Sequence, residues 1–203
     1  MKIAFIPSTF FPFIGGVEVQ AHNLANKLTD LGVKVDIFYL DKLFNVNYKY
    51  NFKVLNKYLI NIVYLLHYYL NLDITILLYF YFKKIIKNNY YDCWHFHSVN
   101  YKTLLYIKIL KKLNQKIFIT FQGADIQIKR SIRYGYRLDK KYDLFLKNNL
   151  KFVDKFLSIS SEIDSELLKL KVTKNKIYFF PNSVNIEKFD KIKKNKKNKK
   201  HFN

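Results

Sequence analysis

Apolar positions in the first forty residues follow the pattern of a strand, a helix and a second strand. A short apolar run covers residues 2–6, and a loop containing Pro7 and Pro12 follows it. Apolar residues then recur every three or four positions, the spacing of one helix face. They are Val17, Ala21, Leu24, Ala25, Leu28 and Leu31. Gly32 stands where a helix commonly ends, and residues 33–39 continue as a strand. The unit predicts a parallel sheet covered by helices.

The next two segments differ in pattern. Residues 44–52 alternate between apolar and polar side chains, which predicts a half-buried strand at the sheet edge. Residues 59–82 are apolar enough to cross a bilayer, but Asn61, His67 and Asp73 interrupt them and a mid-bilayer carboxylate is costly. We therefore expect two helices broken at residues 71–73, with Asp73 capping the second. One would pack on the sheet, and one is a candidate for lying on a membrane surface.

Four later apolar runs predict further strands, at residues 92–97, 116–121, 155–159 and 176–180, with helices at 101–113 and after Ser160. The fold class is therefore α/β, a Rossmann-like doubly wound parallel sheet with helices on both faces, over residues 1–190. Ligands bind outside the carboxyl ends of such strands. That edge is predicted to carry Gly15, Gly16, Ser98, Gln122, Gly123, Asp125, Ser160 and Ser161.

Gly15 and Gly16 lie directly before the first predicted helix and have two interpretations. They form either a flexible turn or an anion cradle, since unhindered backbone N–H groups at a helix N-terminus attract negative charge. The three-glycine dinucleotide fingerprint is absent, which argues against a nicotinamide or flavin cofactor. We predict no cofactor.

His95 and His97 are two residues apart on a predicted strand, so they point to the same side. Such a pair could bind a metal ion. No third ligand is evident in the sequence, and we predict no metal site.

Several short segments stand at the ends of the predicted strands and helices. They are Gly-Gly-Val-Glu at 15–18, Leu-Ala-Asn-Lys-Leu-Thr-Asp-Leu-Gly at 24–32, Asp-Cys-Trp-His-Phe-His at 92–97, Thr-Phe-Gln-Gly-Ala-Asp at 120–125, Ser-Glu at 161–162 and Pro-Asn-Ser-Val-Asn at 181–185. In this order they resemble the N-terminal, acceptor-side domain of family-4 glycosyltransferases, which is one half of a GT-B fold.

The resemblance implies a retaining glycosyltransferase that moves a sugar from a nucleotide-diphosphate donor to a lipid-linked or polysaccharide acceptor. It places Gly15 and Gly16 near the donor diphosphate. Gln122 and Asp125 become the catalytic candidates beside the sugar. The residues it implies for acceptor binding are Glu18, His97, Ser98, Ser161, Glu162 and Asn182.

Gln122 and Ser183 depart from the family pattern. Gln122 stands where the family has a histidine. A glutamine can form hydrogen bonds there, but it cannot carry charge or move a proton at neutral pH. Ser183 stands in place of a glycine.

The chain is strongly basic, with 36 Lys and Arg against 15 Asp and Glu and a net charge of +21. Such a charge favours an anionic partner, although A/T-rich codons would also enrich lysine and asparagine. Within residues 126–150 the basic residues Lys129, Arg130, Arg133 and Arg137 alternate with tyrosines. They predict either a membrane-facing patch or a solvated helix face. Two further functions stay open, a non-catalytic module at an anionic membrane and a nucleic-acid binder. The glycosyltransferase hypothesis has no nucleic-acid partner.

The remaining expectations concern location and completeness. Cys93 is the single cysteine and no signal peptide is evident, so we expect a cytoplasmic protein, peripheral on the inner face of the membrane. Residues 191–203 are rich in Lys and Asn, and we expect a disordered tail. That run also needs an A-rich gene tract, where slippage interrupts a reading frame. The family's donor-binding groups are missing from these 203 residues, so we expect an inactive half whose candidate partner is a separate donor-binding domain.

Overall fold

The structure, a computed structural model, describes residues 1–41 and 48–183. The described chain contains a sheet of seven strands. They are β1 Lys2–Pro7, β2 Lys34–Tyr39, β3 Asn51–Val54, β4 Cys93–His97, β5 Ile117–Thr120, β6 Lys155–Ser158 and β7 Ile177–Phe179. All neighbouring strands are parallel, in the order β3-β2-β1-β4-β5-β6-β7. The predicted parallel sheet is confirmed.

Six α-helices connect the described strands. They are α1 Gly16–Asp30, α2 Lys57–Leu70, α3 Ile76–Lys87, α4 Tyr101–Lys112, α5 Lys140–Leu150 and α6 Ser161–Lys169. The strand order reverses between β1 and β4, because β2 and β3 extend the sheet on one side of β1 and the later strands extend it on the other. A crevice opens at such a switch point, outside the carboxyl ends of the strands.

The sheet is covered by helices on both faces. Phe5 and Ile37 point to one face, where they belong to the same buried cluster as Ala21 and Ala25 of α1. On the opposite face the buried Trp94 packs edge-on against Phe82 of α3, at 5.8 Å between ring centroids. Side chains alternate along a strand, so β4 directs Trp94 toward α3 and its two histidines toward α1. The doubly wound architecture predicted from the sequence is confirmed.

The ends of α1 and α6 match their sequence signals. Gly32 follows α1 with a φ of 80°, the left-handed conformation that favours glycine after a helix. Ser160 is the N-cap of α6, and its hydroxyl accepts a hydrogen bond from the backbone N–H of Ile163.

The segment at 59–82 forms two helices, as predicted, with Asn71 in the left-handed region at the end of α2. Among the described helices, none has the length and apolarity needed to span a bilayer. The expectation that Asp73 caps α3 is wrong. Thr75 is the N-cap, and the Asp73 carboxylate instead accepts hydrogen bonds from Thr75 N and Oγ1 at 3.0 and 2.6 Å, which closes the turn before the helix.

The strand predicted at 44–52 differs from the structure. β3 begins only at Asn51, although it does lie at the sheet edge as predicted. Tyr50 is buried, and its hydroxyl lies 2.9 Å from Nδ1 of His22 on α1, so side-chain packing against α1 takes precedence over strand pairing there. Residues 44–47 of the predicted strand lie outside the described residues, as do Val184, Asn185 and the predicted tail at 191–203.

Candidate functional site

The loop after β1 leads into α1 at the switch point. Gly15 is the N-cap, with extended φ and ψ of −143° and −178°, and no side chain caps the helix by a hydrogen bond. A Cβ placed on Gly16 would meet no heavy atom within 4 Å. Space is therefore open beside Gly16, at the N-terminal end of a helix, where an anion is electrostatically favoured.

Glu18 lies within this first turn and is buried. A Cβ on Gly15 would come within 2.7 Å of the Glu18 carboxylate, so that side chain folds back over the N-cap. A carboxylate in this position complements the positive end of the helix dipole. Glu18 is thus placed to hold the glycine loop, and its predicted role in acceptor binding remains a proposal.

Side chains from three segments form a hydrogen-bonded chain across the carboxyl edge. Asn182 Nδ2 donates to Gln122 Oε1 at 3.0 Å, and Gln122 Nε2 lies 3.1 Å from His97 Nε2. The amide nitrogen of glutamine can only donate, so His97 Nε2 is the acceptor and the proton resides on Nδ1. The structure therefore joins the residues predicted separately at 97, 122 and 182.

His97 is buried and faces α1. Burial lowers the pKa of His97 to about 4, and an interaction with the backbone of Val17 offsets part of this effect. Burial also lowers the pKa of His95 to about 3, with a smaller contribution from His97. Both rings are therefore neutral at pH 7, which is the state in which His97 can accept from Gln122. The Val17 contact links the β4 end of the site to the glycine loop.

Asp125 does not face the crevice. The residue is 1% exposed, and its carboxylate accepts hydrogen bonds from the backbone N–H groups of Val99 at 3.1 Å, Gln122 at 3.0 Å and Gly123 at 2.9 Å. The Ser98 hydroxyl is a further partner. Burial raises the pKa of Asp125 to about 6 despite these bonds. The expectation of a catalytic Asp125 beside the sugar is therefore revised: this residue positions the loops after β4 and β5.

Tyrosines from the segment after β5 support the same loop. A Cβ on Gly123, whose φ is 122°, would come within 2.7 Å of the Tyr134 hydroxyl. The buried Tyr142 hydroxyl donates to the carbonyl of Asp125 at 2.9 Å. These tyrosines could not be assigned to the site from the sequence, because no local pattern marks an aromatic side chain that supports a distant loop.

The predicted basic patch divides in the structure. Lys129, Arg130 and Arg133 are exposed, in and beside a short turn. Arg137 is different: its side chain is 8% exposed and forms ion pairs with Asp143 at 2.7 Å and Glu166 at 3.0 Å. The guanidinium group joins α5 to α6 and is not available to a membrane, so the expectation for Arg137 is corrected.

Ser161 and Glu162 are exposed in the first turn of α6, at the carboxyl end of β6. A hydrogen bond from Ser160 lowers the pKa of Glu162, with a smaller contribution from the positive charge of Lys129. These two residues lie at the same edge of the sheet as the hydrogen-bonded side chains of His97, Gln122 and Asn182. Their predicted contact with an acceptor remains a proposal.

A cavity of about 210 Å³ lies beside the hydrogen-bonded chain, between α1 and residues 180–183, and His97, Thr120 and Asn182 line it. Gln20 of α1 lines it as well and donates to the Ser183 carbonyl at 2.8 Å. The place of Gln20 in the lining of this cavity could not be predicted from the sequence, because polar residues are common on the surface of a helix. The part of the chain that the structure describes contains no cluster of three or more His, Cys, Asp or Glu suited to a metal ion.

The buried histidines predict acid sensitivity. Their pKa values of about 3 and 4 lie below the ordinary 6.5, so the unfolded chain binds protons that the folded domain does not, and stability falls as pH drops below 6.5. The Asp125 carboxyl group has the opposite effect on stability, since its pKa is raised from 3.8 to about 6 and the folded domain therefore binds a proton more readily than the unfolded chain.

The variant His95→Gln tests the burial of a neutral histidine, because the glutamine amide can still form a hydrogen bond with Thr120. We expect it to reduce the slope of the unfolding free energy against pH by about 1.4 kcal/mol per pH unit between pH 6 and 4. Urea unfolding across that range measures it, and an unchanged slope would contradict the burial of a neutral His95.

The fold and the site define a Rossmann-like domain of the GT-B class. Its switch point carries a glycine loop and a row of hydrogen-bonded polar side chains. Residues 14–188 match the family model of Glycosyltransferase Family 4, and the chain belongs to that family. No curated protein matches the chain.

Several solved structures share the fold. HepE (Alr3699) of Anabaena in complex with UDP matches with a TM-score of 0.57 and 12% identity, over 92% of this chain and 45% of that one. The UDP-GlcNAc 2-epimerase of Methanocaldococcus jannaschii matches with a TM-score of 0.55 and 13% identity, over 90% and 46%. That of Neisseria meningitidis, bound to UDP-GlcNAc, matches with 0.51 and 12%, over 90% and 46%. The chain thus spans a little under half the length of each.

Proposed function

We propose that this domain is the acceptor-binding half of a retaining glycosyltransferase that uses a nucleotide-diphosphate sugar and a lipid-linked or polysaccharide acceptor. The observation that carries the proposal is the juxtaposition at the switch point: the open first turn of α1 at Gly16 is joined through Val17 and His97 to the side chain of Gln122. One end of this arrangement suits a diphosphate, and the other suits sugar hydroxyls. Two of the structures with the same fold hold UDP or UDP-GlcNAc, which supports a nucleotide-sugar donor.

We further propose that a second domain, outside these 203 residues, holds most of the nucleotide. The matched structures are about twice as long as the chain, which supports a two-domain arrangement. The 203-residue chain would then bind nucleotide sugar weakly and transfer no sugar on its own. The whole enzyme would act in the synthesis of cell-envelope polysaccharide, in the cytoplasm at the inner face of the membrane.

Retention in this proposal does not use Asp125 as a nucleophile, because its carboxylate is buried and engaged by backbone N–H groups. Catalysis relies instead on holding the acceptor close to the sugar and on stabilising the departing diphosphate. The N–H groups of the first turn of α1 supply that stabilisation in part. Gln122 orients the sugar by hydrogen bonding.

A second candidate function is a non-catalytic binding module at an anionic membrane. The net charge of +21 and the exposed Arg130 and Arg133 favour it. It differs from the first in that no sugar transfer would depend on the residues of the switch point.

Variants of Gln122 test the proposed transferase. In the whole enzyme we expect Gln122→Ala to lower sugar transfer about fivefold, since one hydrogen bond is worth on the order of 1 kcal/mol. Gln122→His should keep or raise the rate, because an imidazole can also bond a sugar hydroxyl. Initial rates with radiolabelled nucleotide sugar measure both.

Asn89→Ala serves as the matched control, since its amide also donates one hydrogen bond and accepts another, but it lies just before β4, at the opposite edge of the sheet. We expect it to change the rate less than twofold. Equal rates for Gln122→Ala, Gln122→His and the unaltered enzyme would place Gln122 outside the site.

A further inference from the structure

The segment after β7 crosses the carboxyl edge of the sheet, and we call residues 180–183 the crossing segment. Its first N–H group donates to the carbonyl of Ser158 at the end of β6, at 2.6 Å. The amide of Asn182 then reaches the loop after β5, and the last carbonyl of the segment accepts a hydrogen bond from Gln20 of α1. The crossing segment therefore runs from the edge strand over the ends of β6 and β5 to α1.

The amide of Gln122 is held from two sides. An amide side chain offers two N–H groups and two lone pairs on its oxygen. Asn182 Nδ2 occupies one lone pair of Gln122 Oε1 at 3.0 Å, and His97 Nε2 accepts one N–H of Gln122 at 3.1 Å. One N–H and one lone pair of Gln122 remain for a ligand. Their directions are fixed only while both neighbours hold the amide.

This hydrogen-bonded chain leads from the surface into the core. Asn182 is exposed, Gln122 is half-buried, and His97 is 2% exposed. The two ends of an amide group are nearly equal in size, so the hydrogen-bond partners decide which end faces which way. Because Asn182 presents a nitrogen, Gln122 turns its oxygen outward and its nitrogen inward. An inward nitrogen requires that Nε2 of His97 carries no proton.

The other ring nitrogen of His97 does not select this tautomer. Nδ1 is buried and forms no hydrogen bond with any residue that the structure describes. A buried N–H group without an acceptor is unfavourable, so the ring by itself gains nothing from a proton at Nδ1. The tautomer is therefore imposed from the side of Nε2, through the two amides.

We propose that Asn182 is a positioning residue that fixes the orientation of the Gln122 amide and, through it, the tautomer of His97. It acts through Gln122 and does not itself contact the acceptor. This inference rests on the proposed function and deepens it, because Gln122 would then present one N–H and one lone pair in fixed directions to the hydroxyl groups of the sugar. The crossing segment is thereby a part of the site.

Nitrogen-15 NMR of the 203-residue chain at pH 7 measures the tautomer directly, because protonated and unprotonated ring nitrogens have well-separated chemical shifts. In the unaltered chain we expect Nε2 of His97 to be unprotonated. The carboxylate of an Asn182→Asp variant can only accept, so Gln122 should rotate, turn its oxygen toward His97 and move the ring proton to Nε2. Asn182→Ala removes the outer partner and should give a mixture of both tautomers.

Ser183→Asp is the matched control. It places the same negative charge on the crossing segment, one residue away from Asn182, at a side chain that does not belong to the hydrogen-bonded chain. We expect the proton of His97 to stay on Nδ1 in this variant. Fluorescence of the fully buried Trp94 checks that every variant keeps the core.

A double-mutant cycle in the whole enzyme tests the same inference through sugar transfer. We expect Asn182→Ala to lower the rate about two- to fivefold, and no further than Gln122→Ala does. When Gln122 is already alanine, adding Asn182→Ala should change the rate less than about 1.5-fold. A residue that acts only through Gln122 has no further effect once that amide is gone.

Three results would overturn the inference. They are a proton on Nε2 of His97 in the unaltered chain, an unchanged tautomer in Asn182→Asp, and additive effects of the two alanine variants, which would mean that Asn182 contacts a substrate itself. A tautomer change in Asn182→Asp without any effect of Gln122→Ala on transfer would support the positioning role and count against the proposed function. The NMR measurement needs no sugar transfer, so the two failures are distinguishable.

Discussion

The Asp125→Ala variant is expected to lose about 3–5 kcal/mol of unfolding free energy, because two buried and one partly buried backbone N–H groups lose their acceptor and each unpaired buried donor costs about 1–3 kcal/mol. Those groups belong to Val99, Gln122 and Gly123, so the loops after β4 and β5 lose their common anchor. Urea or thermal unfolding of the 203-residue chain measures the loss.

The control is Asp30→Ala, which removes a carboxylate from an exposed ion pair with Lys49 and should cost under about 1 kcal/mol. Asp125→Asn tests the geometry further. It keeps the size of the side chain but replaces one acceptor oxygen with a donor, and we expect a loss between those of the other two variants. An Asp125→Ala variant as stable as the parent would mean that the carboxylate does not hold the two loops.

A valine at Gly16 is expected to lower kcat/KM of the whole enzyme by at least about 100-fold, equivalent to about 2.7 kcal/mol of lost transition-state stabilisation. The space beside Gly16 is open, so the side chain fits the fold but occupies the volume assigned to the diphosphate. Gly16→Ala adds one methyl group and should cost less. The measurement is the rate of sugar transfer together with far-ultraviolet dichroism, which should be unchanged.

Gly123→Val provides the contrasting control. Gly123 has a φ of 122° and its added Cβ would meet the Tyr134 hydroxyl at 2.7 Å, so this variant should lose activity through loss of folding. Gly16→Val should lose activity while folded. Full activity of Gly16→Val would exclude the first turn of α1 as the diphosphate site.

Local patterns in the sequence determined most of the fold. The spacing of apolar residues located α1, β2 and the two helices at 59–82, because each element buries one face and its period is visible in the chain itself. Glycines marked both ends of α1, and at Gly32 the positive φ favours a glycine. The parallel order then placed the polar residues at one edge, since strands that run in one direction end together.

The family motifs likewise selected Gly16, His97, Gln122 and Asn182 as candidates from the sequence. The sequence could not show which of these residues contact one another. The hydrogen bond from Asn182 to Gln122 spans sixty residues, and only the packed sheet brings the two side chains within 3.0 Å.

Tertiary structure alone decided which polar residues face the crevice. The motif predicts a catalytic carboxylate at Asp125. In the structure this carboxylate points inward, because it accepts hydrogen bonds from the N–H groups of two loops. The sequence predicts a surface charge at Arg137. In the structure its side chain is buried between Asp143 of α5 and Glu166 of α6. The apolar side chains of α2 that stay exposed, Tyr58, Ile62, Leu65 and Tyr69, do so because α2 packs against α4 and α5 with its other side. The periodicity of α2 shows apolar residues on more than one face, but only the positions of its neighbours determine which face stays uncovered.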